Sequence, residues 1–233
     1  PIYLDLDTDA DRPVTTWNNC RRVRQFIRQD MTSILFGERR VRPHKIICVG
    51  KNYEAHIEEM NSVPSEHMTV FLKPATSISN RLLAVREEPI HFEGELCLLI
   101  ENQRVAGVGF GLDLTKRQLQ GKLKTAGLPW ERAKAFDGAA LFSEFVPAPK
   151  HLNELALELF INNELRQRGC PSQMLYPPEV IVEEISRFLT LEDGDVIMTG
   201  TPSGVGPIPP GGQFYGRILL NEIEITSASW KAE

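Results

Sequence analysis

Three acidic residues invite a chemical reading. In "HFEGELCLLI", residues 91–100, Glu93 and Glu95 sit two apart in an otherwise apolar run, and Asp113 closes "VAGVGFGLD" where an apolar strand gives way to a helix. Successive side chains of an extended chain alternate faces, so Glu93 and Glu95 share one. Like charges held side by side repel unless a cation, a proton, or Arg and Lys neutralise them. Three carboxylates without a Cys or His cluster define a hard oxygen site, suited to Mg²⁺, Mn²⁺ or Ca²⁺ rather than Zn²⁺. The same pattern also suits a plainer reading, in which the glutamates lie on the wet face of an edge strand and Asp113 caps the helix.

A second group lies in "GKNYEAHIEEM", where a helix would place His56 and Glu59 at i,i+3 on one face. An imidazole oriented by a carboxylate takes a proton from water, although a surface His beside a surface Glu has the same spacing. Lys73 in "FLKP" and Lys134 in "ERAKAF" sit in apolar surroundings, where a lysine either snorkels to solvent or serves an anion. "GTPSGVG", residues 200–206, is a Gly-rich turn whose backbone N–H groups are expected to be free for a carboxylate or phosphate. It lacks the GK[ST] ending of a P-loop, and as a plain turn it would simply join two strands.

Those residues must be positioned by the surrounding chain. Its 233 residues permit one large domain or two small ones. A net charge of −5 argues against general nucleic-acid binding, and no apolar run reaches the roughly 18 residues of a membrane helix. The acidic start "PIYLDLDTDADRP" lacks the features of a signal peptide, and Cys20, Cys48, Cys97 and Cys170 form no CxxC pair. A reduced, cytoplasmic setting is the expectation. Residues 1–40 read as a small N-terminal appendage with a helix, marked by Val23, Phe26, Ile27, Ile34 and Leu35 and ended at Gly37. Residues 41–233 read as the main domain. Its strands are expected at "HKIICVG", "TVFLKP", 91–100, "VAGVGFGLDL", "DVIMTG", "QFYGRILL" and "EIEITSASW". A hairpin is expected about Asn162-Asn163. Helices are expected at 52–60, at 115–126 with a basic exposed face, and at "PPEVIVEEISRFLTL" with Val180, Ile181, Ile185 and Phe188 as its apolar set. Short strands outnumber helices and do not alternate with them, which favours an α+β, mostly β domain over a doubly wound sheet.

The ordered blocks "ICVGKNYEAHIEEM", "VFLKPATS", "HFEGEL", "GLDLTKRQLQGK", "GLPWERAKAFD", "NNELRQRG" and "DVIMTGTPSGVGP" resemble the fumarylacetoacetate hydrolase family, in its short acylpyruvase-like branch. That resemblance implies a mixed β-roll/β-sandwich core with short flanking helices, a likeness to homodimers, and Mg²⁺ or Mn²⁺ held by Glu93, Glu95 and Asp113. It implies that His56 and Glu59 activate water on a lid helix, that Lys134 stabilises a developing oxyanion, and that Lys73, Gln120 and Thr201 line the substrate pocket. The implied substrates are small 2-oxo acids with a second carbonyl, with no nucleic-acid or membrane partner. The leading expectation is hydrolysis of a C–C bond in an acylpyruvate such as fumarylpyruvate, through an enolate. Oxaloacetate decarboxylation or 2-oxo acid keto–enol isomerisation at the same site is the alternative. Three departures stand out: Gln118 follows Arg117 where relatives commonly carry Asp, Gly94 replaces a larger apolar residue and is expected to loosen the strand, and "ENQR" at 101–104 replaces a longer insertion.

Overall fold

A computed structural model of the chain describes residues 32–60 and 66–233. Most of the helix expected in the first forty residues lies outside them. The part inside is a strand hairpin, β1 (Ile34–Phe36) with β2 (Arg39–Val41), not the end of a helix. Ile34, Phe36 and Val41 pack into the core, and Phe145 N–H donates to the Leu35 carbonyl at 2.8 Å, so this stretch is part of the main body.

The central sheet runs β10 (Ala140–Phe142), β8 (Arg104–Asp113), β7 (Gly94–Glu101), β14 (Val196–Met198), β3 (Lys45–Gly50), β4 (Thr69–Pro74), with β11 (Val146–Pro147) also on β8. Its β14–β3 pair is parallel and its other pairs antiparallel, making it a mixed sheet. A four-stranded sheet runs β13 (Glu164–Gly169), β12 (Leu155–Ile161), β16 (Gln213–Leu220), β17 (Ile223–Lys231). A smaller one joins β15 (Gly206–Pro207), β6 (Glu88–Phe92) and β5 (Val85–Arg86), with β9 (Thr115–Lys116) on β6. The domain is α+β and mostly β, as expected.

After Lys45 and Glu95, the runs "IICVG", "LCLLI" and "VIM" are apolar throughout because both faces of these strands are covered. Ile47, Val49, Leu96, Leu98, Ile100 and Ile197 face a larger core shared with Leu157, Leu159, Phe214 and Ile218 of the four-stranded sheet. Ile46, Cys48, Cys97, Leu99, Val196 and Met198 face a smaller core on the other side. Cys48 and Cys97 are thus small apolar packing residues. Three hairpins turn on residue pairs with positive φ, Asn102–Gln103, Asn162–Asn163 and Asn221–Glu222, the conformation that two-residue type I′ turns require. The short "ENQR" is accordingly a tight turn joining β7 to β8.

Among the described residues four α-helices flank the sheets: α1 (Glu54–Glu59), α2 (Arg117–Thr125), α3 (Glu131–Lys134) and α4 (Pro178–Ser186). α4 opens with Pro at its first position and buries Ile181 and Ile185. Val180 and Phe188 point outward instead, which narrows the apolar stripe expected there. Among the described residues no helix is long and apolar enough to cross a membrane.

Candidate metal centre and active site

The expected single strand 91–100 is broken. β6 ends at Phe92, β7 begins at Gly94, and Glu93 stands at the break. The two-residue alternation still holds across it. Glu95 shares its face with Cys97 and Leu99, and across the ladder it lies opposite Gly111, two residues before Asp113 on β8. Asp113 N–H donates to the Glu93 carbonyl at 2.8 Å, which binds the break to the end of β8. Carboxylate oxygens of Glu93, Glu95 and Asp113 lie within 4.8 Å of one another, and all three residues are buried. The wet-edge reading of these acids is therefore excluded.

Two lysines attend the triad, in different ways. Lys134, from α3, donates to Glu93 Oε2 at 2.6 Å, Asp113 Oδ2 at 2.8 Å and Thr115 Oγ1 at 2.7 Å. Lys73, from β4, is fully buried behind Asp113, with Nζ 2.8 Å from Oδ1 and bonded to the backbone carbonyl of Lys134. It does not line the cavity, so its expected substrate-binding position is corrected to a supporting one. Arg117 caps the group by pairing with Glu93 Oε1 and donating to Gln120 Oε1 at 2.8 Å.

The charges do not settle evenly. Burial works against ionised Glu93, but Lys134 and Arg117 outweigh it and hold its pKa well below the usual carboxylate range. Burial, then the neighbouring Asp113 and Glu93 charges, push Glu95 well above that range. For Lys134 burial is the largest influence and lowers the pKa, but Asp113 and Glu93 prevail and keep it an ammonium. Asp113 Oδ1, despite its closeness to Lys73, receives no hydrogen bond. A hard divalent cation fits this donor set. It would relieve the repulsion that raises Glu95 and use the open lone pair of Asp113.

These acids line a solvent-open cavity together with His56, Arg117, Gln120, Lys134 and Thr201. His56 Nδ1 lies 3.2 Å from Glu59 Oε2, and the other Glu59 oxygen accepts the Gly204 N–H at 3.0 Å. The Gly-rich turn is thus not free for an external anion. Gly200 N–H donates to Glu95 Oε2 at 2.8 Å, and Gly204 N–H holds Glu59, so the turn grips two of the protein's own carboxylates. Gly204 has φ +101°, and a Cβ there would come 2.1 Å from the Arg166 carbonyl, so only glycine fits.

Several contributors carried no signal in the sequence. Gln167, on β13, is buried and bonds Gly94 N–H, Thr201 Oγ1 and the Pro202 carbonyl at 2.8–2.9 Å, connecting the glutamate strand to the Gly-rich turn. Gly94 does not loosen the strand. A Cβ there would lie 3.0 Å from Gln167 Oε1 and 3.1 Å from Phe110, so the missing side chain is the space these two fill. Asn52 bonds the Thr199 and Tyr176 carbonyls and the Tyr176 N–H, fixing the approach to α1. At Gln118, Glu88 of β6 accepts from the Gln118 and Leu119 N–H groups, so an acid from another strand serves the start of α2. Side-chain amides that act across sheets lack sequence periodicity, which is why these went unread.

Residues 45–226 match the family model for the fumarylacetoacetate (FAA) hydrolase C-terminal domain. The chain is 41% identical over 201 residues to oxaloacetate tautomerase YcgM of Escherichia coli (strain K12), covering 77% of this chain and 92% of that protein. It is 37% identical over 180 residues to human mitochondrial oxaloacetate tautomerase FAHD1, covering 70% and 81%. Fumarylpyruvate hydrolase from Pseudomonas aeruginosa, whose crystal structure holds Mn²⁺ and pyruvate, superposes with a TM-score of 0.77 at 31% identity over 86% of this chain and 94% of that one. On this evidence the chain belongs to the fumarylacetoacetate hydrolase family, and it is an enzyme of that family.

Proposed function

We propose that this enzyme interconverts the keto and enol forms of oxaloacetate, with Mg²⁺ or Mn²⁺ held by Glu93, Glu95 and Asp113. The observation that carries the reading is one cavity lined by both the buried acid triad and the oriented His56, in a chain 41% identical to an oxaloacetate tautomerase. This reading moves the leading expectation from C–C hydrolysis to the isomerisation first held as its alternative. The chain is 41% and 37% identical to these two tautomerases, against 31% to the fumarylpyruvate hydrolase.

Tautomerisation neither adds nor removes atoms: one proton leaves C3 and one arrives at the C2 oxygen. A divalent ion in the triad supplies Lewis acidity, acidifying the C3 proton of a bound 2-oxo acid. Glu59 holds His56 through Nδ1, which leaves Nε2 as the lone pair that takes the C3 proton. Gly204 fixes Glu59, so the imidazole keeps one orientation. The three N–H groups of Lys134 are held by Glu93, Asp113 and Thr115, so its ammonium acts on the C2 oxygen as a positive charge beside the triad rather than as a free hydrogen-bond donor. Gln120 and Thr201 offer polar groups along the same wall. Pairing of two chains as a homodimer belongs to this proposal, and sedimentation in solution reads it.

Hydrolysis of a 2,4-dioxo acid is the second reading, favoured by the likeness to the fumarylpyruvate hydrolase. There His56 would deprotonate water. One assay separates the readings. Oxaloacetate and fumarylpyruvate are supplied with Mg²⁺, with and without EDTA, while enol absorbance, CO₂ and released acids are followed. Rapid, EDTA-sensitive decay of the oxaloacetate enol without matching CO₂ supports tautomerisation. Two acids from fumarylpyruvate, with the enol decaying at its uncatalysed rate, overturn it.

A further inference from the structure

The basic face of α2 has not yet been given a role. Arg117, Gln120 and Lys124 fall at i, i+3 and i+7, on one side of that helix, and all three line the cavity. Arg117 touches Glu93, at the triad end. Lys124 stands about 10 Å further along the helix axis. It is an exposed residue, with Nζ 4.7 Å from the centroid of the Trp130 ring. Trp130 packs against Phe71 with centroids 5.9 Å apart, and Lys134 Nζ lies 5.1 Å from the centroid of Phe71. One aromatic pair therefore carries an ammonium at each end. Lys134 is neutralised by Glu93 and Asp113, whereas among the described residues no carboxylate pairs with Lys124.

Lys51 lines the cavity as well, from the turn before α1. Partial burial, then Arg117 and Lys51, lower the Lys124 pKa, so the three cations share one electrostatic space. Arg117 and Lys124 approach this cavity from one helix face, and Arg117 is already paired with Glu93. Cations that converge on an open space repel one another, and an anion placed among them relieves that repulsion.

We propose that Lys124, held over Trp130 and backed by Lys51, is a specificity-determining residue that receives a second carboxylate at the far end of the substrate, so that the pocket selects 2-oxo dicarboxylates over 2-oxo monocarboxylates. The inference rests on the 2-oxo acid reading for the first carboxylate and adds the chemistry of the other end. The Phe71–Trp130 pair forms the apolar wall along which the short carbon chain lies.

The test measures binding rather than turnover. Protein loaded with Mn²⁺ is titrated calorimetrically with fresh oxaloacetate and with 2-oxobutanoate, which have equal carbon number and differ by one carboxylate. Wild type, Lys124→Gln and Lys124→Arg are compared. The expected result is a rise of about 10-fold or more in the oxaloacetate Kd of Lys124→Gln, the scale of one charge-assisted hydrogen bond. The 2-oxobutanoate Kd should move less than about 2-fold, and Lys124→Arg should recover most of the loss. Equal shifts for both acids, or none, overturn the second-carboxylate site and leave the tautomerase reading intact. Selective loss in a protein that does not tautomerise oxaloacetate overturns that reading and leaves the site standing. If wild type binds neither acid, both fall.

Discussion

Two buried clusters of charge in this molecule follow opposite rules. On the four-stranded sheet, Glu158 lies directly between Arg168 on β13 and Arg217 on β16, its cross-strand partners in both directions. Arg168 reaches one carboxylate oxygen at 2.5 Å and Arg217 the other at 2.6 and 2.9 Å, and Arg168 also pairs with Glu222. Register alone satisfies this carboxylate. The triad is built the other way. Three acids of one sign are brought together from a strand break, a strand and a strand end, with one oxygen left without a hydrogen bond and one carboxyl forced upward in pKa. Glu158 is a charge the fold has answered. Around the triad Lys73, Lys134 and Arg117 answer Asp113 and Glu93, while Glu95 has only the Gly200 N–H and is left for a ligand to answer.

The largest expected effect separates catalysis from folding. His56→Ala should lower turnover about 10²–10⁴-fold, the usual weight of a general base, while the melting temperature changes little. Steady-state rates and a thermal melt on one preparation check both halves. A change of Glu158 should do the reverse: Glu158→Ala removes one carboxylate from two partly exposed arginines that keep Glu222 and Glu224, and should cost about 1.5–3 kcal/mol of stability, with specific activity of the folded fraction retained. Denaturant unfolding reads the first and active-site titration the second.

Glu95→Gln sharpens the contrast through its sign. A carboxyl whose folded pKa is raised keeps its proton longer in the native state than in the unfolded chain. Metal-free stability is then greatest below the ordinary value of 4.5 and falls as pH rises towards the folded pKa, by about 1.4 kcal/mol per unit. In EDTA at neutral pH, Glu95→Gln should therefore be more stable than wild type. Glu158→Gln should be less stable in the same buffer, and melts across pH 4–8 distinguish the two. The smallest effect is expected at Arg187, whose pairs with Glu183 and Glu184 are exposed on α4: Arg187→Ala should shift stability by less than about 1 kcal/mol.

The contrast also explains what the sequence disclosed. Glu93, Glu95, Asp113, His56 and Lys134 stood out as charge in apolar runs or as an i,i+3 His–Glu pair, but spacing left each with a plainer reading, and only the resemblance of the ordered blocks to the family assigned them roles. The central strands were legible because burial on two faces leaves unbroken apolar runs. Lys73 was placed on the wrong side of Asp113, since an apolar context records burial but not direction. The Gly-rich turn was read as open to an outside anion. Its N–H groups are satisfied by Glu95 and Glu59, more than a hundred residues away in sequence. Gln167 and Asn52 gave no sign, because a lone amide looks alike on a surface and in a buried junction. Ile34 and Leu35 fitted a helical spacing but pair as strand residues, a local pattern overridden by contacts with Phe145.

Mn²⁺ titration of metal-free protein by calorimetry, wild type beside Glu95→Gln, tests the central claim most directly. One ion per chain should bind wild type and raise its melting temperature, by an amount equivalent to about 2.7 kcal/mol at a hundredfold excess over Kd, and Glu95→Gln should lose both. Equal affinity in the two proteins, or no binding to either, would contradict the assignment of these acids as a divalent metal site.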